Sequence, residues 1–265
     1  MPSYINRASI ALYKMVKNMY NKDIELPRIT KCSTQLLMAG FSPNSIPNDV
    51  LCKCLNTQNN DGGWVSVVDT IWNTKFLSFY CEDKAIANAI NYLNNNRVGE
   101  GFGRSKRDIG RIPVTGIAFY LLPELANEIS LNWLENLWIS EKNGLTYKAA
   151  YTLMAFKKNE YIPHHDELIV DIIEWLISQQ ESDGGFAPWK SHPVGANVYC
   201  TSVALIGLIQ YSESFPIVKP SIDKAYLYIC RTQLNSGLWP YHELEDGSAW
   251  GLAALTIYES VYGNE

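Results

Sequence analysis

The chain has 265 residues, of which 47% are hydrophobic and 18% are charged, with a formal net charge of −5 at pH 7. This length and composition are enough for a large hydrophobic core, and they predict a single domain spanning residues 1–265. The mild acidity lacks the basic footprint of a nucleic-acid-binding protein, so we expect no DNA or RNA partner.

Targeting signals and cysteine usage predict the compartment. The N-terminal segment has no uninterrupted apolar region, and no run of 18 apolar residues occurs, so we expect neither secretion nor a transmembrane segment. The six cysteines form no CxxC pair and fall at apolar helical positions, as is typical of reduced buried thiols; they stand at 32, 52, 54, 81, 200 and 230. These features predict a cytoplasmic protein.

Apolar periodicity, interrupted by Gly, Pro and Asn clusters, predicts helices of two alternating kinds. Amphipathic helices, apolar on one stripe, are expected at 4–21, 48–58, 83–95, 130–140, 166–180 and 221–234. Helices that are apolar around most of their circumference are expected at 29–40, 67–80, 114–125, 145–156, 197–210 and 248–261. The first kind faces solvent on one side and the second is buried, so six pairs of outer and inner helices result.

One short pattern recurs between an outer helix and the inner helix that follows it. Its copies are Gln58-Asn-Asn-Asp61-Gly62-Gly63-Trp64, Gln180-Glu-Ser-Asp183-Gly184-Gly185-Phe186 and Gln233-Leu-Asn-Ser236-Gly237-Leu238-Trp239. The glycine is expected to take the left-handed conformation at the helix C-cap, while the Gln amide and the aromatic ring bridge neighbouring hairpins.

The repeat length of helical hairpins leaves two architectures, an open solenoid of the HEAT type and a closed ring. Small inner-helix residues, such as Ala149-Ala150 and Ala253-Ala254, favour close convergence of the inner helices. An open solenoid also needs polar end caps, whereas the last inner helix is apolar almost to its end. We therefore predict an all-α fold, an (α/α)6 toroid.

The three Gln-to-aromatic motifs resemble the QW repeats of the terpene cyclase and protein prenyltransferase superfamily, and the resemblance extends over about residues 48–261. It implies a hydrophobic cavity that opens where the inner helices begin, and an enzyme that cyclises or isomerises a hydrophobic, isoprenoid substrate by acid–base chemistry.

An incomplete acid motif gives the first candidate catalytic residue. Class II members of this superfamily protonate an alkene with Asp-x-Asp-Asp-Thr, and the matching segment here is Ser66-Val67-Val68-Asp69-Thr70. The central acid falls at Val68, so the resemblance leaves Asp69 as the acid. A lone Asp at a helix start is more often a partner of the helix dipole or a cap, and the residues alone leave this alternative open.

Further carboxylates precede the last inner helix. Glu243 or Asp246, facing Asp69 across the opening, would make a substitute pair, or the acid and base of a glycoside hydrolase as in other (α/α)6 proteins. Asp246 alternatively caps the helix.

The loop from Gly103 to Arg111 carries four cations just before an inner helix. Cationic side chains and a helix N-terminus suit phosphate, which makes Arg104, Lys106, Arg107 and Arg111 candidate ligands for a prenyl diphosphate, with Mg²⁺ assisting. The alternative is a solvated surface loop. No other cofactor is indicated.

Aromatic residues concentrate near the predicted inner-helix starts. In such a cavity their π faces would stabilise a carbocation, and otherwise they fill the core. The candidate substrate-binding rings are Trp64, Trp72, Tyr147, Tyr151, Trp189, Tyr199, Tyr241 and Trp250.

Other function classes stay open at this point. A toroid without catalysis would bind a lipid or a peptide. A peptide-modifying or prenyltransferase-like enzyme would use zinc at His192, Cys200 and His242, although these residues do not form a metal-ligand motif. A carbohydrate-active enzyme would need a polar groove. The expected partner is a hydrophobic small molecule, and whether a protein partner completes the site is left open.

Overall fold

A computed structural model of the chain describes residues 3–22, 25–141 and 144–263. Within these ranges the chain forms α-helices joined by turns and short 3-10 segments. The helices are α1 (Tyr4–Asn21), α2 (Leu26–Met38), α3 (Asn48–Asn56), α4 (Val67–Ser78), α5 (Asp83–Asn95), α6 (Ile112–Leu121), α7 (Glu128–Glu141), α8 (Thr146–Lys158), α9 (Leu168–Ser178), α10 (Val198–Ile209), α11 (Lys219–Thr232) and α12 (Leu244–Tyr262).

The even-numbered helices form a closed inner ring. Each packs against the next one, from α2 through α4, α6, α8 and α10 to α12, and α12 packs against α2. The odd-numbered helices lie outside this ring, with α1 against both α12 and α2. The predicted alternation of outer and inner helices and the closed toroid are therefore confirmed, and the open solenoid is wrong.

The extent of burial differs between the inner and the outer helices, as their sequences predict. In α10, all residues except Tyr199 are buried, whereas α5 buries only Ala89 and Leu93. An inner helix touches neighbours on every side, so its composition has to be apolar all round. No helix in the described part of the chain is both long and apolar enough to cross a bilayer.

The three Gln residues of the recurring motif join neighbouring hairpins in the same way. Each Gln Nε2 donates to the carbonyl of the motif glycine four residues later and to a carbonyl in the first turn of the next outer helix. The second acceptors are the carbonyl oxygens of Ala85, Ser221 and Tyr4. Because Tyr4 belongs to α1, Gln233 joins the last hairpin to the first and helps to close the ring.

The motif glycines do not cap helices, which corrects the expectation from sequence. The helix α11 ends at Thr232 and Gly237 lies in the turn beyond it, with φ +90°. There the glycine packs against the backbone of α1, and a Cβ atom on it would lie 2.5 Å from the Arg7 carbonyl oxygen. The absence of a side chain thus permits contact between hairpins.

A fourth, altered copy of the motif lies before α6, where Arg97 stands in place of the Gln. Its guanidinium donates to the carbonyl oxygens of Glu100 and of Leu125, and Leu125 leads into the next outer helix, α7. The Phe102 N–H donates to Thr115 Oγ1, as the Phe186 N–H does to Thr201 Oγ1 in a regular copy. An arginine therefore performs the bridging role at this junction.

A buried carboxylate holds the connection between α8 and α9 against α7. Glu135 on α7 is fully buried and accepts hydrogen bonds from the Tyr161 hydroxyl, the backbone N–H groups of His164 and His165, and His165 Nδ1. Burial acts to raise the pKa of Glu135, but these hydrogen bonds outweigh it and lower the pKa to about 2. The folded state therefore favours the ionised form of the Glu135 carboxyl group.

This carboxylate predicts a component of acid denaturation. The folded-state pKa lies below its ordinary value, so its contribution is complete above about pH 4.5 and is lost as the pH falls toward 2. Urea unfolding across this range should show a loss of about 2 kcal/mol in the wild type that is missing from Glu135→Gln. Glu174→Gln, at an exposed position on α9, should lose stability as the wild type does. Parallel curves of the free energy of unfolding against pH for the wild type and Glu135→Gln would contradict this role of Glu135.

Candidate functional site

Two cavities open at the mouth of the ring, where the inner helices begin. The first has a volume of about 630 Å³ and lies at the starts of α2 and α4. Its walls include Glu25, Leu26, Pro27, Arg28, Lys31, Trp64, Val65, Val68, Asp69, Trp72 and Glu243. The second has a volume of about 590 Å³ and lies at the starts of α6 and α8. It is lined by residues that include Arg104, Ile109, Arg111, Glu141, Tyr147, Lys148, Tyr199, Tyr241 and Asp246.

Asp69 lies in the first turn of α4 and lines the first cavity. Ser66 caps this helix, because its Oγ accepts from the Asp69 N–H at 3.1 Å and donates to Asp69 Oδ2 at 2.7 Å. Burial raises the pKa of Asp69, against the hydrogen bond from Ser66 and the nearby charge of Lys31, which lower it. The neutral acid is therefore populated at a higher pH than for an ordinary aspartate.

The two other candidate acids occupy different places. Glu243 is the N-cap residue of α12 and lines the first cavity together with Asp69. Asp246 lies in the first turn of α12, because this helix starts four residues earlier than predicted, and it lines the second cavity. The expectation that Asp246 precedes and caps the helix is wrong, and the structure does not bring it into the cavity of Asp69.

Ion pairs join α12 to α2 at the mouth. Asp246 Oδ1 lies 2.7 Å from Lys31 Nζ, and the buried Glu245 carboxylate pairs with the Arg28 guanidinium, accepting from Nε at 2.5 Å. The Lys31 ammonium also lies 5.2 Å from the centre of the Trp72 ring. Both cations belong to the site, and the sequence analysis missed them.

Six of the candidate rings, from α4, α8, α10, α12 and the loop before α12, form one cluster. Trp250 is central, at 6.0 Å from Trp72, 5.9 Å from Tyr151 and 6.2 Å from Tyr199. Tyr199 also contacts Tyr147 and stacks on Tyr241, at 6.0 and 5.6 Å. The Tyr151 and Tyr199 hydroxyls are 3.0 Å apart, and burial raises the pKa of both phenols, so they remain neutral. The cluster is a neutral aromatic wall between the two cavities.

The two remaining rings lie outside the cluster. Trp64 forms part of the first cavity, with its Nε1 donating to the Cys54 carbonyl oxygen at 3.0 Å. Trp189 is 44% exposed and packs edge-on against His192, in a separate surface depression. The placement of Trp189 in the aromatic cavity is therefore wrong, because the loop continues for eight residues before α10 begins at Val198.

The basic loop is only partly directed to the mouth. Arg111 lines the second cavity, but its guanidinium makes two hydrogen bonds to Asp108, at 2.7 and 2.8 Å. These bonds hold the pKa of the Asp108 carboxyl well below its usual range. Arg107 is exposed and lines neither cavity. As an anion site the loop therefore offers Arg104 at the cavity, because the charge of Arg111 is already compensated by Asp108.

The potential zinc ligands do not assemble. Among the residues that the structure describes, no three His, Cys, Asp or Glu side chains are grouped to hold a metal ion. The Cys200 thiol is buried, and burial raises its pKa to about 11, while His242 packs on the Tyr241 ring. The hypothesis that His192, Cys200 and His242 converge has no support in this geometry.

Comparison with known proteins supports the fold. No protein-family model and no curated protein sequence matches the chain. Its structure is similar to that of the type II terpene cyclase MstE from Scytonema, with a TM-score of 0.72 and 13% identity over 98% of this chain and 99% of that one. It is also similar to a glycoside hydrolase from family 105 of C. acetobutylicum ATCC 824, with a TM-score of 0.59 and 12% identity over 96% and 99% of the two chains. These similarities confirm the resemblance at the level of the α/α toroid.

Proposed function

We propose that the protein is an acid–base enzyme that cyclises or isomerises a hydrophobic, isoprenoid substrate in the first cavity, with Asp69 as the acid. The observation that carries this proposal is the position of Asp69: a carboxyl group whose pKa is raised by burial, in a cavity lined by Leu26, Val68 and Trp72. A neutral carboxylic acid beside the apolar part of this wall is suited to deliver a proton to a bound hydrocarbon chain.

Aromatic rings in the cavity wall complement this acid. A proton delivered to the substrate creates a cation, and the rings of Trp64 and Trp72, which line the cavity, stabilise positive charge without competing as nucleophiles. After transfer, the Asp69 carboxylate keeps its hydrogen bond from the Ser66 hydroxyl, which makes it a base able to take a proton from the product cation. Protonation and final deprotonation thus use one residue.

The absence of the central acid of the superfamily motif restricts the class of substrates that Asp69 could protonate. Val68 lines the cavity in the place of the central Asp, so no second carboxyl group on α4 strengthens Asp69. An acid with a raised pKa releases its proton less readily, and it therefore needs a substrate that is easy to protonate. An epoxide or an allylic alcohol at the reacting end meets this requirement better than an isolated alkene.

The experiment is a product assay by mass spectrometry. Purified protein is incubated with prenyl diphosphates of increasing length, with squalene and with its epoxide, each with and without Mg²⁺. For the prenyl diphosphates, a cyclised or isomerised product that retains the diphosphate supports protonation, whereas loss of the diphosphate assigns the chemistry to ionisation. If ligands bind but none is converted, the protein is a binding toroid, an outcome consistent with Val68 at the central acid position.

The pH dependence of this reaction follows from the state of Asp69. Turnover needs the neutral acid, so kcat/KM should fall as the pH rises through the raised pKa of Asp69. Ser66→Ala removes the hydrogen bond that lowers this pKa, and the falling limb should move to higher pH. A profile of kcat/KM against pH for both proteins measures the shift. An unchanged limb in Ser66→Ala would mean that another group sets the profile.

A further inference from the structure

The wall between the two mouth cavities contains one ion pair. Lys31 lines the first cavity, Asp246 lines the second, and their Nζ and Oδ1 atoms are 2.7 Å apart. The wall also contains aromatic rings, with Trp72 on the first side and Tyr199 on the second, both against Trp250. We propose that the Lys31–Asp246 pair is a movable partition that selects substrates by chain length, which rests on the proposed hydrophobic substrate.

The pair is the part of this wall that is free to move. Trp72 and Trp250 are 4% and 2% exposed and are held by packing, whereas the Lys31 side chain is 25% exposed and has four rotatable carbon bonds. Rotation of Lys31 toward the first cavity removes the ammonium from the wall without displacing a ring.

Both charges have other partners when the pair opens. On the first side, the carboxylates of Glu25 and Glu243 line the cavity that the ammonium would enter. On the second side, the Asp246 carboxylate shares its cavity with Arg104, and with Lys148, which itself pairs with Glu141. An opened pair therefore leaves neither charge alone, which lowers the cost of separating two partly buried ions.

The two cavities differ in character, and this defines the substrates that would use both. The first cavity has Leu26, Val65 and Val68 among its lining residues, while the second has Tyr199 and Tyr241 together with the cation Arg104. A short chain fits within the first cavity with the partition closed. A longer chain with a polar end extends into the second cavity once Lys31 has moved.

The neighbouring ion pair supplies a matched control. Arg28 and Glu245 join the same two helices, and Arg28 lines the first cavity, but Glu245 lines neither one. Removing Arg28 therefore takes away a cation and a contact between α2 and α12 without joining the cavities.

The test compares ligand affinity across chain length. Dissociation constants are measured for geraniol, farnesol, geranylgeraniol and squalene with the wild type, Lys31→Ala and Arg28→Ala, after thermal denaturation has shown that each variant is folded. In Lys31→Ala, affinity for the longest ligands should rise about tenfold or more relative to geraniol, because additional methylene groups become buried. Arg28→Ala should keep the wild-type ratio. Equal ratios in all three proteins would overturn the partition.

A second measurement does not depend on isoprenoid binding. If none of the four ligands binds to any form, the proposed function fails. Crystals of the wild type and of Lys31→Ala under xenon pressure then test the partition independently, by showing whether the two cavities are separate. One continuous chamber in Lys31→Ala and two cavities in the wild type would support it. Two separate cavities in both would overturn it.

Discussion

Replacing Asp69 with Asn should reduce turnover by about 10²–10⁴-fold while leaving ligand affinity close to that of the wild type. Asn has the same shape as Asp and cannot donate a carboxylic proton. The helix cap does not depend on the carboxylate, since it joins Ser66 Oγ to the backbone N–H of residue 69. Single-turnover rates and dissociation constants, measured on the same preparation, separate the loss of chemistry from the loss of binding.

Asp61→Asn is the control for this substitution. Asp61 is exposed in the motif turn, accepts from the Gly63 N–H at 3.0 Å and does not line the first cavity. It should therefore keep wild-type turnover. If Asp69→Asn turns over substrate as fast as Asp61→Asn, Asp69 is not the acid, and Glu25 and Glu243 are the carboxylates in the same cavity to test next.

Gly237→Ala should destabilise the fold far more than Gly40→Ala, although the two glycines have nearly the same backbone conformation. Their φ angles are +90° and +92°, so a side chain at either position costs about 1–2 kcal/mol of backbone strain. At Gly40 nothing lies within 4 Å of the added Cβ, whereas at Gly237 the Arg7 carbonyl oxygen would lie 2.5 Å away. That overlap forces α1 away from the last hairpin, at a total cost of about 4 kcal/mol or more.

Urea unfolding of the two variants measures this difference directly. Because the backbone strain is common to both, the excess loss in Gly237→Ala reports the contact between the last hairpin and α1. Equal losses would show that the chain relaxes around the new methyl group and that this approach does not hold the ring closed.

The sequence predicts the fold well because the fold depends on repeated local signals. Apolar periodicity separates α10, buried nearly all round, from α5, which buries two residues. The recurring Gln likewise marks the turns where hairpins join. The Arg97 copy could not be recognised from the motif, since its role is visible only from the carbonyl oxygens that its guanidinium reaches.

The site was harder to predict because its key pairs join distant parts of the chain. Lys31 and Asp246 meet only because α12 packs on α2, and no spacing in the sequence relates them. A signal was available for the cations: Arg28 and Lys31 lie three residues apart near the start of an inner helix that carries no other charged residue. The prediction for Trp189 was wrong for the opposite reason. This residue is close in sequence to an inner helix, but the fold does not place it at the mouth.

The contact of Gln233 with α1 also determines how the protein should unfold. An open array of hairpins has two end units with a single neighbour each, and these fray at a lower free energy than the middle. In a closed ring every hairpin has two neighbours, and Gln233 gives the first and last hairpins the same junction as the others. Slow hydrogen exchange should therefore be spread evenly among α2, α6 and α12, with one cooperative opening shared by all three.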